Sequence, residues 1–144
     1  MDRPASIRRF EFFYAAHILL GLLGNLLTLV IFPSETMAHQ LSGLGTMAQP
    51  AALGVIGVTL LTQALIWFLI ARRGSHTART GLAGLTGLNL LGLALAVLRL
   101  AAGGARLDPL PFLLSAGSSA CLTAALLLLF RADTQRWFAT EADE

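Results

Sequence analysis

Four long apolar runs, parted by short polar segments, set the pattern of the chain. They run from Phe12 to Phe32, from Ala51 to Ala71, from Gly81 to Leu98 with Arg99 at the edge, and from Phe112 to Phe130, and none holds a charged residue. About 20 apolar residues carry a helix across some 30 Å of hydrocarbon. Backbone groups must pair within the segment there, which makes helices the expected form. The pattern predicts an all-α integral membrane bundle of four transmembrane helices (12–32, 51–71, 81–99, 112–130) in one domain covering 1–144, with a juxtamembrane tail over 131–144. Glu11 interrupts the basic start, and the first apolar run exceeds a signal-peptide core, so that span is expected to be retained.

Finer periodicity lies within and between the runs. Ser6 stands where a helix-capping hydroxyl would begin the first helix. Met37, Leu41 and Leu44 fall on one stripe and predict a short interfacial segment between helices one and two. Gly103-Gly104 and Pro109-Leu110-Pro111 predict a tight turn before the fourth span. The short connections 72–80 and 101–111 imply antiparallel neighbours.

Arginine placement orients the bundle. Arg3, Arg8 and Arg9 precede span one, Arg72, Arg73 and Arg79 join spans two and three, and Arg131 and Arg136 follow span four. On the other side stand only Arg99 and Arg106. Basic residues favour the cytoplasmic face, so both termini are expected inside a bacterial cytoplasmic (inner) membrane, with the interfacial segment periplasmic. Arg8, Arg9, Trp67, Arg72, Arg73, Arg99, Arg131 and Trp137 are the expected lipid-interface anchors.

Composition narrows the classes. The chain is 56% hydrophobic and 12% charged, about half the charged share of a soluble domain. The basic pI follows from arginines flanking apolar runs, so no nucleic-acid partner is expected. Cys121 is the sole cysteine, which excludes a paired-thiol redox site. The metalloprotease, serine-hydrolase, phosphate-loop and dinucleotide motifs are missing, and the expectation is a protein that is not an enzyme.

The remaining candidates are polar residues inside the spans. Tyr14, His17, Gly21, Gly24, Asn25 and Thr28 share one arc of the first helix, with Glu11 beside it. That arc should face inward, because a polar group facing lipid is costly. Thr59, Thr62, Gln63 and Asn89 are its candidate partners. Ser115, Ser119 and Thr123, beside Ala116, Ala120 and Ala124, form a small-residue seam on span four. Gly81, Gly92 and Ala96 offer a matching face on span three, so these two spans are expected to pack closest. His17 is a candidate ligand for haem or a chlorin-type group, against the plainer role of an interhelical hydrogen bond. No metal site is expected, since His39 and His76 fall on opposite sides of the membrane. Glu11, near Arg8, reads as an interfacial ion pair.

The chain ends carry a resemblance. Arg3-Pro4-x-Ser6, Phe10-Glu11-x-x-Tyr14, Gly21 and Asn25, with the closing Leu129-Phe130-Arg131-x-Asp133 and Trp137-Phe138, resemble a group of small bacterial inner-membrane proteins with four spans. The resemblance implies the four-helix fold and carries no activity. The functional expectation is an accessory or structural subunit that packs against a larger membrane complex or against itself, with membrane lipids and such subunits as partners. A small oligomeric transporter or channel with its path on helix one, and a cofactor binder through His17, are the alternatives.

Overall fold

The computed structural model describes residues 5–30, 48–103 and 109–135. Four helices account for nearly all of them: α1 (Ala5–Val30), α2 (Ala48–Arg73), α3 (His76–Ala101) and α4 (Pro109–Leu129). No strand occurs among the described residues. Each helix is long and apolar enough to cross a membrane, as expected of a multi-pass membrane protein.

The helices outrun the apolar spans at several ends. α1 already includes Ser6 and Arg8, α2 continues through Arg72 and Arg73, and α3 takes in His76 to Thr80. Helical hydrogen bonding continues past the hydrocarbon, because polar side chains at the interface do not break it. Only Gly74 and Ser75 separate α2 from α3. Gly74 has φ +55°, a left-handed conformation that favours glycine. The Ser75 N–H donates to the Leu69 carbonyl at 3.0 Å, closing the end of α2. The Ser75 hydroxyl then accepts from the Ala78 N–H at 3.3 Å and caps α3. Pro109 and Pro111 fall in the first turn of α4 rather than in a loop, where a missing N–H costs nothing. The predicted interfacial stripe of Met37, Leu41 and Leu44, and Arg3, Arg106, Arg136, Trp137 and Phe138, lie outside the described residues.

In space the helices form a ring in chain order, each touching its sequence neighbours, and α4 returns to pack along α1. That α1–α4 pairing is the most extensive in the molecule, which corrects the expectation that spans three and four pack closest. Glycines explain it. A Cβ at Gly21 would stand 3.3 Å from Ser118 Oγ, one at Gly24 would meet Leu114 at 3.5 Å, and one at Gly117 would meet Leu20 at 3.6 Å. In lipid, such close approach supplies the dispersion contacts that hold helices together. Gly81 and Gly92 of α3 have nothing within 4 Å of a built Cβ, and Ala120 is exposed. The predicted α3–α4 glycine face and the Ala120 contact are therefore not where these helices meet.

Burial is uneven along the bundle axis. Ile7, Phe10 and Tyr14 of α1, Ile70 and Ala71 of α2, Ala78 and Leu82 of α3, and Leu122, Ala125 and Leu129 of α4 make one core. All lie in the half nearer the start of α1 and the end of α4. In the opposite half, toward the segments 31–47 and 104–108, no residue with a described side chain is buried. Packing is dense at one end, here the closed end, and looser toward the other, the open end, where α1 and α4 nevertheless stay in contact through Gly24 and Leu114.

The closed end is stapled by polar contacts. The Thr134 hydroxyl, buried in a helical turn at 132–135, donates to Ser6 Oγ at 2.7 Å and to the Leu128 carbonyl at 2.9 Å. Ser6 is thus inside α1 and bridges to the residues that follow α4, instead of capping its own helix. Its hydroxyl hydrogen-bonds Asp133 and holds that exposed carboxyl below its usual range, helped by N–H groups of Thr134 and Ser6. A carboxylate at a helix N-terminus also complements the helix dipole. Arginines gather at the same end: Arg72 lies 5.8 Å from the Trp67 ring, Arg73 6.0 Å from Phe68, and Arg79 5.1 Å from Phe130.

Candidate functional site: an intramembrane cavity above a hydrogen-bonded floor

Between the helices on this loosely packed side lies a partly open cavity of about 320 Å³. Its floor lies halfway along the bundle and is built from three helices. His17 of α1 is buried, with Nδ1 2.8 Å from Ser118 Oγ and 3.1 Å from the Ser118 carbonyl of α4. The Ser118 hydroxyl donates back to the His17 carbonyl at 3.0 Å. On the other side of the ring, Gln63 Nε2 of α2 stands 3.4 Å from His17 Nε2. The Tyr14 hydroxyl donates to Gln63 Oε1, and to the Gln63 carbonyl at 3.2 Å. One set of roles satisfies every atom: Nδ1–H donates to Ser118, Nε2 accepts from the Gln63 amide, and Gln63 Oε1 accepts from Tyr14. Beneath the floor, the Phe10 ring stacks on Tyr14 at 5.3 Å and the apolar core begins.

The walls mix polar and apolar groups, and Ile18, Leu20, Leu22, Ile56, Leu60 and Pro111 stand beside the polar side chains. α1 contributes Asn25 and Thr28, α2 Thr59 and Gln63, α3 Asn89, and α4 Ser115 and Ser118. The Thr28 hydroxyl donates to the Gly24 carbonyl at 2.9 Å and Thr59 to Val55 at 2.8 Å, so each turns oxygen lone pairs outward from its helix. Asn89 Oδ1 accepts from the buried Ser119 hydroxyl, which also reaches the Ser115 carbonyl at 2.9 Å. Asn25 is exposed on the cavity wall and its carboxamide makes no hydrogen bond within the described residues.

The predicted inward arc of α1 is therefore brought together as a floor and a wall, with its glycines against α4. Gln63, Asn89, Ser115 and Ser119 also fall at or beside the cavity. Thr62 does not: it is exposed and donates to the Val58 carbonyl of its own helix at 2.9 Å. Glu11 is half-buried near the closed end, well below the floor. Arg8, Arg9, Arg72, Arg73 and Arg131 are exposed at the closed end, Trp67 is half-buried there, and Arg99 is exposed near the other end. The residue missed as a partner is Ser118. The buried seam of α4 steps back from Leu129 to Ala125 and Leu122 at helical spacing, and its next position is Ser118.

His17 is held by hydrogen bonds at both ring nitrogens, so ligation of a haem or chlorin would first have to break one of them. No group of three or more His, Cys, Asp or Glu residues suited to a metal ion occurs among the described residues. Comparison with protein-family profiles, curated proteins and solved structures finds no match. The class the fold defines is a four-helix, multi-pass membrane protein with a partly open cavity between its helices.

Proposed function

We propose that this protein is a non-enzymatic component of the bacterial cytoplasmic membrane that admits a small solute to a mid-membrane vestibule, as the binding part of a small transporter or channel. The observation that carries the reading is the cavity: beside apolar residues it gathers neutral polar side chains from all four helices, at a depth where polar groups are costly. Its volume falls at the lower end of the range for ligand sites, about 300–1,000 Å³. The arginines gathered at the closed end support cytoplasmic termini, with the vestibule opening to the other side. His17, tied to Ser118 and Gln63, serves as part of the closed floor in this reading.

Cysteine labelling tests it. In a Cys121→Ala background, Asn25→Cys and Thr59→Cys in lipid nanodiscs are expected to react with iodoacetamide at least ten times faster than Leu23→Cys, which lies on the lipid-facing side of α1. Equal rates at all three positions would mean that no water-filled vestibule exists.

A second reading, the accessory subunit or homo-oligomer, is favoured by the glycines of α2 and α3. Gly54, Gly57, Gly81, Gly84, Gly87 and Gly92 all have open space where a Cβ would stand, and small residues in a membrane helix favour close approach of another helix. Mild-detergent purification that returns only a lone monomer would end this reading and leave the first intact.

A further inference from the structure

We infer that the vestibule selects uncharged solutes that both donate and accept hydrogen bonds, of the amide or polyol kind, over ions of either sign. The inference rests on the hydrated vestibule proposed above and adds the class of solute. Its basis is the kind of group on the wall. Among the described residues, no Asp, Glu, Lys or Arg lines the cavity. The described charged residues lie elsewhere: Arg8, Arg9, Glu11, Arg72, Arg73, Arg79, Arg131 and Asp133 belong to the closed end, and Arg99 to the last turn of α3.

An ion entering a low-dielectric space needs an opposite charge or a ring of dipoles of one sign to replace its water. This wall offers neither. Asn25 and Asn89 present carboxamide N–H donors. The Thr28 and Thr59 hydroxyls have given their protons to their own helices, and so present acceptors. A cation would find the threonine and Asn25 lone pairs but no negative charge, and an anion would find the carboxamide N–H groups but no positive charge. A neutral solute carrying both donors and acceptors can satisfy both sets at once. Asn25, which has no partner among the described residues, supplies a donor and an acceptor within one group.

Two reagents of nearly equal size, iodoacetamide and iodoacetate, separate the cases because they differ in charge. Their rate ratio at Asn25→Cys and at Thr59→Cys, both in Cys121→Ala and in nanodiscs, is compared with the ratio at Gln135→Cys, an exposed position beyond the spans. We expect the preference for iodoacetamide to be at least ten-fold greater at the two vestibule positions than at Gln135→Cys. A cationic methanethiosulfonate, compared with its neutral methyl analogue, is expected to be disfavoured to a similar degree. Vestibule positions that label readily but show the Gln135→Cys ratios would overturn the charge selection while keeping the vestibule. Failure of every reagent at both positions would remove the vestibule, and the solute class with it. Thr59 is on the loosely packed α2 wall, so its substitution keeps the test usable if Asn25→Cys folds poorly.

Discussion

His17 sits at the centre of the molecule and depends on neighbours from two other helices. Removing it leaves the Gln63 amide N–H without its acceptor, while the Ser118 hydroxyl loses the imidazole but keeps the residue-17 carbonyl, and an unsatisfied buried polar group costs about 1–3 kcal/mol. His17→Ala is therefore expected to lower stability in detergent by that amount. Combined with Ser118→Ala, it should show a coupling energy of about 0.6–1.7 kcal/mol, the range found between membrane helices. Strict additivity in the double-mutant cycle would contradict the paired geometry. Asp133 lies at the opposite extreme of exposure. Its carboxyl is held below the ordinary value of 3.8 by the Ser6 hydroxyl, so its contribution is present above that value and fades as pH falls through the lowered one. Thermal unfolding of wild type and Asp133→Asn should differ near pH 6, with wild type the more stable, and the difference should shrink as pH falls below 3.8. A constant offset across that interval would show that the Ser6–Asp133 bond is not the cause.

At the level of helices, the glycines divide into two kinds. Gly21 lies against Ser118 of α4, whereas Gly54 and Gly57 of α2 face open space. Gly21→Val is expected to push α1 from α4 and to destabilise by about 1–3 kcal/mol, the usual cost of overpacking. Gly54→Ala and Gly57→Ala should be neutral or gain up to about 1 kcal/mol from helix propensity, as read by denaturation in detergent. The contrast explains what the amino-acid pattern can and cannot reveal. The four spans are plain in it, because long uncharged runs have one physical meaning in a chain this apolar. The inward arc from Tyr14 to Thr28 is also plain, because polar residues in one sector of a helix must avoid lipid. Which glycine face meets which helix is not. Gly81 and Gly92 on α3 match a packing motif as well as Gly21 and Gly24 on α1 do, and only the three-dimensional arrangement tells an occupied seam from an open one. Ser118 escapes notice for a related reason: beside Ser115 and Ser119, nothing local singles it out.

For the whole molecule, uneven burial is the dominant feature. A bundle packed evenly from end to end would have no space for water. Here, the aromatic and aliphatic core from Ile7 to Tyr14 and from Leu122 to Leu129 closes one half, and a mixed wall of neutral polar and apolar residues lines the cavity in the other. Thr59→Trp should fill part of the cavity from the loosely held α2 side. It is expected to slow iodoacetamide labelling of Asn25→Cys by ten-fold or more while leaving the unfolding temperature nearly unchanged. Loss of labelling together with a large loss of stability would point to disruption of the bundle instead.

The Gly74–Ser75 corner sets the kind of motion available to this architecture. With two residues and a left-handed glycine joining α2 to α3, these helices cannot slide past one another or part at that point. They can only swing like the arms of tweezers about it. Spin labels placed near Arg72 and Thr77 should report one narrow distance, whereas labels near Leu53 and Leu98 should report a broad or solute-dependent one.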